Sequence, residues 1–150
     1  MIAAALLALT LSGPAVVVDG DTLKVGEERI RLHGIDAPEK DQLCKRSNGA
    51  EYHCGARSLV ALEDRIAGLK VRCVGIELDR YKRLVARCFI LHAWEGDIDL
   101  GAWMVAQGHA TAYVRYSTEY VPQERQARAR RLGIWNGTFV NPAAWRRGTR

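Results

Sequence analysis

The sequence has no apolar run long enough to cross a membrane as a helix, which takes about 20 residues. Its apolar stretch near the N-terminus, Ile2 to Leu11, is too short for that. The stretch is typical of the apolar core of a secretory signal, although no lysine or arginine precedes it. We therefore expect an exported protein, periplasmic or secreted, in which residues 1–14 are a signal or an uncleaved anchor, with no other membrane partner. Alternatively, the first strand already begins at Thr10.

The chain also lacks a C-x-x-C unit, the spacing on which many zinc sites depend. It has four cysteines, and an even number predicts two disulfides. Of the three possible pairings, the two short spacings favour Cys44–Cys54 and Cys73–Cys88. A zinc site with His53 beside Cys54 and four free buried thiols are the alternatives. Two disulfides would indicate an oxidising compartment.

Internal repeats, low-complexity segments and linkers are absent, so the 150 residues predict one domain. We place that domain at residues 15–135, followed by a tail at 136–150 that packs on it or extends from it. Hydrophobic residues make up 48% of the chain, which is enough for a globular core. The formal net charge of +5 is compatible with a polyanionic partner but does not identify one.

Periodicity and turn signals predict five strands and three helices. Three β-rich segments come first and form a meander, an irregular loop follows at 40–53, and two more strands flank a turn at 79–82. The predicted strands are 15–18, 22–25, 29–35, 70–76 and 83–91, and the predicted helices are 55–67, 99–107 and 119–132, with a short extended segment at 110–114. This order favours an α+β, mainly β fold: a five-stranded barrel of the oligonucleotide-binding (OB) type with three helices.

Charged residues concentrate in three short segments at strand ends: 19–22, 31–39 and 79–83. Asp21 and Asp36 offer the hard oxygen ligands that calcium prefers. Arg31 and Arg83 offer planar guanidinium groups that match phosphate oxygens, and Glu39 could orient or deprotonate a water. Strict alternation would put Arg31 and Asp36 on opposite faces of one strand, so their convergence requires a bend or bulge near Gly34.

These segments, in this order, resemble the staphylococcal nuclease family over roughly Ala15 to Trp135. The matching residues are Val17-Val18-Asp19-Gly20-Asp21-Thr22, Arg31-Leu32, Ile35-Asp36-Ala37-Pro38-Glu39, Asp79-Arg80-Tyr81 with Arg83 and Ala86, Gly108-His109-Ala110 with Tyr113, and Leu132-Gly133-Ile134-Trp135. The resemblance implies the same OB-type barrel with three helices.

The resemblance also implies a role for each charged residue. Calcium would be held by Asp21, Asp36 and the backbone carbonyl of Ala37, with Asp19 behind them. Arg31 and Arg83 would bind the scissile phosphate, and Glu39 would act on the attacking water. Tyr81 and Tyr113 would line the nucleotide site. Lys82 stands where the family's turn usually has glycine, and it could either strain the turn or add a phosphate contact.

The implied activity is calcium-dependent hydrolysis of DNA, RNA or both, with little sequence specificity and 3′-phosphate products. Single strands or frayed duplexes would be favoured because their bases can reach the tyrosines. We expect a monomer. The alternative is a non-catalytic OB module that binds nucleic acid or protein. Such a module would be expected to lose some of the charged set, whereas this chain has all of Asp21, Arg31, Asp36, Glu39 and Arg83.

Overall fold

The computed structural model describes residues 9–150 as one curled sheet with helices and two small satellite sheets. The strands are β1 (Thr10–Gly13), β2 (Ala15–Asp19), β3 (Thr22–Val25), β4 (Glu28–Leu32), β5 (Ile35–Asp36), β6 (Cys44–Arg46), β7 (Glu51–Tyr52), β8 (Val71–Leu78), β9 (Leu84–His92), β10 (Gly96–Asp99), β11 (Thr111–Ala112) and β12 (Gly137–Thr138). The helices are α1 (Cys54–Ile66), α2 (Leu100–Ala106), α3 (Val121–Ala129) and α4 (Pro142–Arg146), with a 3-10 turn at Gly133–Asn136.

The main sheet closes on itself because its two end strands are neighbours in the chain. Its order is β1-β8-β9-β4-β3-β2, and β10 adds to β9. Only Pro14 separates β1 from β2, so the two ends of the sheet must meet there. Counting β1 and β2 as one bent strand gives the predicted five-stranded barrel. The N-terminal strand begins at Thr10, and the rest of the apolar N-terminal run lies outside the described residues.

Alternation along the strands fills the barrel. In β9 the buried residues are Leu84, Ala86, Cys88 and Ile90, with less buried residues between them. The pairs β2–β3, β3–β4 and β8–β9 are antiparallel, as the meander and the turn at 79–82 predict, whereas β4 and β9 run parallel. Helices α1 and α2 cover the barrel with fully buried leucine, isoleucine and methionine side chains.

The three predicted helices are present with shifts of a few residues at their ends. Asp99 caps α2 through a bond from the amide of Ala102, 3.1 Å long. Pro122 lies in the first turn of α3, as predicted. This helix ends at Ala129 rather than at 132, and Gly133 begins the 3-10 turn instead of ending the helix.

The predicted strand 29–35 is broken into β4 and β5, and β10 was not predicted. Two further features differ from the prediction. The segment 40–53, predicted as an irregular loop, contains the hairpin β6–β7, and the tail adds the short helix α4. Both depend on sequence-distant contacts: β12 pairs with β6, and Gln42 donates to the carbonyl of Val140 at 2.6 Å.

The structure contains the two disulfides that the spacing favoured, Cys44–Cys54 and Cys73–Cys88. Cys73 and Cys88 lie directly opposite each other in the β8–β9 register. Because all four thiols are bridged, none is available as a zinc ligand. Between residues 9 and 150, no helix combines the length and the apolar character that spanning a bilayer requires.

Candidate functional site

The turn between β2 and β3 places Asp19 and Asp21 at one end of the barrel. Gly20 is required between them, because a Cβ there would lie 2.8 Å from the Cβ atoms of both Ala37 and Ser58. The amide of Asp21 donates to Asp19 Oδ1 at 3.1 Å, and the amide of Ala37 donates to Asp21 Oδ2 at 2.9 Å. These bonds tie the turn to the segment that carries Asp36.

A sharp turn brings Arg31 and Asp36 together, as the sequence analysis required. Strand β4 ends at Leu32, Gly34 has φ +73°, and β5 begins at Ile35. The guanidinium of Arg31 then lies 3.3 Å from Asp21 Oδ2 and 3.5 Å from Asp36 Oδ1. One arginine therefore contacts two carboxylates, one in the β2–β3 turn and one in β5.

Burial and mutual repulsion perturb these carboxyl groups. Burial, together with the charge of Asp21, raises the pKa of Asp19 to about 7. Burial acts in the same direction on Asp21, but Arg31 and hydrogen bonds from neighbouring groups outweigh it and lower the pKa of Asp21. Burial also raises the pKa of Asp36, and the hydrogen bonds from Arg146 only partly oppose this. The cluster thus places carboxyl groups where burial makes their ionisation costly.

Arg83 is held at the rim of the same cavity by Asp79. The Nε atom of Arg83 donates to Asp79 Oδ2 at 2.8 Å, and the amides of Tyr81 and Arg83 both donate to Asp79 Oδ1. The guanidinium also lies 5.6 Å from the ring centroid of Tyr81. Lys82, within this turn, has φ +63°, the left-handed conformation that the family's usual glycine would adopt without strain.

A cavity of about 620 Å³, here called the active cavity, brings most of the predicted site residues together. The predicted residues that line it are Asp19, Asp21, Arg31, Glu39, Tyr81, Arg83 and Tyr113. Asp36 and Ala37 lie beneath its surface, with exposed fractions of 1% and 2%. Lys82 stands next to Arg83 but is not one of the lining residues.

Arg146 has no role predicted from the sequence, yet its side chain lies in the middle of this cluster. Its guanidinium forms a fork with both oxygens of Asp36, at 2.9 and 3.0 Å, and reaches Glu39 Oε1 at 2.6 Å. Arg146 and Asp36 are 110 residues apart, and no spacing signal links them. The only sequence feature that points to this contact is the cationic C-terminal tail, which could be attracted to the acidic site.

Two further residues that the sequence analysis missed hold Glu39 in place. Gln42 is fully buried, and its Oε1 accepts from the amide of Glu39 at 3.1 Å. Gly55, in the first turn of α1, packs against the backbone of Glu39, because a Cβ there would come within 1.6 Å of the Glu39 carbonyl oxygen. A glycine beside a helix start is a weak signal by itself, since many glycines occur at such positions.

The donor set fits a hard divalent cation rather than a soft one. It offers carboxylate oxygens and no thiolate, and the pair Asp36–Glu39 already holds a cationic group, the Arg146 guanidinium. Within residues 9–150, no cluster of three histidine, cysteine, aspartate or glutamate side chains is arranged to hold a metal ion. A cation here would therefore need backbone, water or substrate oxygens in addition to Asp21 and Asp36, as calcium sites commonly use.

Comparison with known proteins gives a consistent result. Residues 29–137 match the family described as staphylococcal nuclease homologue. The chain is 34% identical over 141 residues to the succinoglycan biosynthesis protein ExoI of Rhizobium meliloti, covering 91% of this chain and 70% of that protein. It is 33% identical to an uncharacterized endonuclease of Haemophilus influenzae, covering 87% and 70% of the two chains. A similar match, 33% identical and covering 87% and 80%, is an uncharacterized endonuclease of Escherichia coli.

Proposed function

Because the chain belongs to the family of staphylococcal nuclease homologues, we propose that it is a calcium-dependent phosphodiesterase that hydrolyses DNA, RNA or both with little sequence specificity. One observation carries the proposal: Arg31 and Arg83 line the same cavity as Asp21 and Glu39. Two guanidinium groups, an acidic cation site and a carboxylate beside them are what phosphodiester hydrolysis requires. The endonuclease names of two relatives support it.

Calcium is the proposed cofactor, held by Asp21, Asp36 and the backbone carbonyl of Ala37, with Asp19 behind Asp21. When bound, the ion would offset the negative charge of the carboxylates and of the phosphate and would lower the pKa of a bound water. The donor set supports the assignment, because calcium prefers carboxylate and carbonyl oxygens to thiolates.

The arginines act on the phosphate itself. Charge grows on the phosphoryl oxygens as water attacks phosphorus, so a fixed guanidinium stabilises the transition state more than the ground state. Arg31 is fixed by Asp21 and Asp36, and Arg83 is fixed by Asp79. Glu39 orients the attacking water or accepts its proton. Departure of the 5′-oxygen leaves a 3′-phosphate on the product.

Tyr81 and Tyr113 are the proposed nucleotide contacts. Both line the active cavity, and Tyr81 is 66% exposed, so a base can stack on its ring without displacing core residues. Ring faces and phosphates are common to all nucleotides, which is why cleavage should tolerate sequence and favour single-stranded or frayed substrates. Lys82, beside this cavity, would contribute a weaker phosphate contact.

We also propose an exported location, periplasmic or secreted. Two disulfides support it, since such bridges persist in oxidising compartments.

The test is to incubate the purified protein with single-stranded DNA, duplex DNA and RNA, with calcium or with a chelator. We expect cleavage only with calcium. Arg31→Ala and Arg83→Ala should each lower kcat about a hundredfold with a smaller change in KM, as expected when a preorganised electrostatic donor is removed. Asp21→Ala should abolish the response to calcium.

The matched control is Arg72→Ala, which removes an arginine paired with Asp97 on the surface, outside the active cavity. It should cleave at nearly the parent rate. Circular dichroism should be used to check that each variant is folded before its activity is compared. If folded Arg83→Ala and Asp21→Ala cleave at the parent rate, the assigned site is wrong. If the parent binds nucleic acid without cutting it, the protein is a binding module.

A further inference from the structure

A second cavity, of about 480 Å³, lies outside the active cavity and shares no lining residue with it. Its charged lining residues are Arg46, Arg57 and Arg131, joined by His109, and we call it the basic cavity. No carboxylate lines it. In the described part of the chain, none of these three arginines forms an ion pair, whereas seven other arginines do.

Local geometry keeps these cations together. The guanidinium groups of Arg46 and Arg57 lie 4.6 and 5.8 Å from the ring centroid of Tyr52, which holds them on one aromatic side chain. Helix α1 begins at Cys54, also in the lining, so the positive end of its dipole adds to the potential, although the amide of Gly55 already donates to the carbonyl of Gln42. Burial lowers the pKa of His109, and Arg57 lowers it further.

The two cavities are connected through the contact between α1 and the segment that carries Glu39. Cys54 lines the basic cavity, and Glu39 lines the active cavity. Between them, Gly55 packs directly on the carbonyl of Glu39. We propose that the basic cavity binds a backbone phosphate of the same nucleic-acid strand whose scissile bond lies in the active cavity. This inference rests on the proposed function and adds a second anchoring site to it.

The test compares a fluorescent 12-nucleotide single strand with a dinucleotide, by anisotropy in the presence of chelator and by cleavage kinetics with calcium. The double variant Arg57→Ala/Arg131→Ala should weaken 12-mer binding about tenfold or more and should reduce the slope of log Kd against log salt by about one per arginine removed. The dinucleotide has one backbone phosphate, which cannot lie in both cavities at once, so its binding should not change, and neither should kcat.

The control is Arg125→Ala/Arg130→Ala, which removes the same charge from exposed positions that line neither cavity. It should change 12-mer binding less than twofold. Equal losses in the two double variants, or no loss in either, would overturn the site. A third outcome is that inorganic phosphate binds at Arg57 and Arg131 while the affinity for the 12-mer is the same with and without these arginines. The cavity then binds a free anion, and the proposed contact with the strand is wrong. Because anisotropy needs no cleavage, this outcome is separate from failure of the nuclease proposal.

A different observation concerns Arg146. Its guanidinium occupies both oxygens of Asp36 and one oxygen of Glu39, whereas Asp36 is the residue assigned to the cation. A carboxylate cannot give the same oxygens to a guanidinium fork and to a divalent ion at full strength, because both are electron-pair acceptors at those atoms. Arg146 and the ion would therefore compete for the same carboxylate oxygens.

The tail that carries Arg146 is anchored independently of that ion pair. Gln42 donates to the carbonyl of Val140, just before α4, and the side chain of Asn141 caps the helix by accepting from the amide of Ala143. We infer that Arg146 is an internal competitor of the cation and sets the calcium concentration at which the site fills. Like the basic cavity, this rests on the proposed function.

Isothermal titration with calcium alone, without substrate, tests the inference. Arg146→Ala and the bulkier Arg146→Gln should both bind calcium at least about tenfold more tightly than the parent. The reason is that both variants lack the guanidinium charge, which lies 2.9 Å from Asp36 Oδ1 and competes with calcium there. Arg147→Ala, the adjacent exposed arginine, should bind like the parent within twofold.

Unchanged affinity in both Arg146 variants would overturn the competition, and so would weaker binding, which would make Arg146 an organiser of the carboxylates. If the parent cleaves nucleic acid with calcium while both variants bind calcium as the parent does, the proposed function stands and this inference fails. If neither the parent nor the variants bind calcium, both fail.

Discussion

The position of Arg83 depends on one side chain, Asp79, which accepts from the Nε of Arg83 and from two backbone amides. Removing it frees both the turn and the guanidinium. We expect Asp79→Ala to lower kcat by ~10-fold or more with little change in KM, because a misplaced donor loses transition-state contacts first. Steady-state kinetics on single-stranded DNA measures this. Asp97→Ala, which breaks an ion pair with Arg72 outside the active cavity, should leave both constants unchanged.

The neighbouring Lys82 tests how much backbone strain this turn carries. The φ of +63° destabilises the folded state by about 1–2 kcal/mol for a residue with a Cβ. Glycine removes this strain, but its greater conformational freedom in the unfolded chain offsets about 0.5–1 kcal/mol of the gain. Lys82→Gly should therefore raise the free energy of unfolding by ~1 kcal/mol or less, with kcat within about twofold because Asp79 still holds Arg83.

Lys82→Ala is the matched variant, since it removes the charge and keeps the Cβ. Urea unfolding should show no gain of stability for it. A tenfold rise of kcat in Lys82→Gly alone would show instead that the lysine backbone displaces Arg83.

At the scale of elements, Tyr120 joins α2 to the start of α3. Its hydroxyl donates to Asp99 Oδ2 at 2.7 Å, and Asp99 Oδ1 caps α2. The ring is 2% exposed and packs against Gly34, near the turn that positions Asp36. Burial raises the pKa of Tyr120 far above its ordinary value, and the charge of Asp99 raises it further, so the hydroxyl stays protonated and donating.

We expect Tyr120→Phe to lower the free energy of unfolding by about 1.5–3 kcal/mol, as for other hydrogen bonds to a charged group. Urea unfolding monitored by circular dichroism measures it. Tyr116→Phe is the control, because Tyr116 is 64% exposed and should change stability by less than about 0.5 kcal/mol. Equal stability of Tyr120→Phe and the parent would mean that the Asp99 contact adds nothing.

At the scale of the whole molecule, the Cys73–Cys88 bridge fixes the central strand pair of the barrel. Both residues are buried, and β8 and β9 lead into the turn that presents Arg83. The bridge closes a loop with a sequence separation of 15 residues, for which the chain-entropy model gives about 3 kcal/mol. Cys73→Ala/Cys88→Ala should lose about that much stability.

The second bridge provides the comparison. Cys44–Cys54 closes a shorter loop, with a separation of 10 residues, and belongs to a small separate hydrophobic cluster. Cys44→Ala/Cys54→Ala should lose slightly less stability in urea, because a shorter loop confines the unfolded chain less. A midpoint for Cys73→Ala/Cys88→Ala equal to that of the parent would contradict the role of this bridge.

Sequence by itself determined the features that depend on neighbours along the chain. Alternation predicts the strands, Asp99 and Gly108 mark the two ends of α2, and two short cysteine spacings favour the observed disulfides. The order of the charged segments was enough to identify the family, because members of a family have the same residue types at corresponding positions of the site.

Tertiary structure alone decided which distant residues touch. Strand β12 near the C-terminus pairs with β6, and Arg146 reaches Asp36 across 110 residues because Gln42 anchors the tail beside it. Neither contact has a local signal, because periodicity, caps and turns describe a few neighbouring residues. A contact between distant residues depends on the path of the whole chain, which is set by the packing of every element between them.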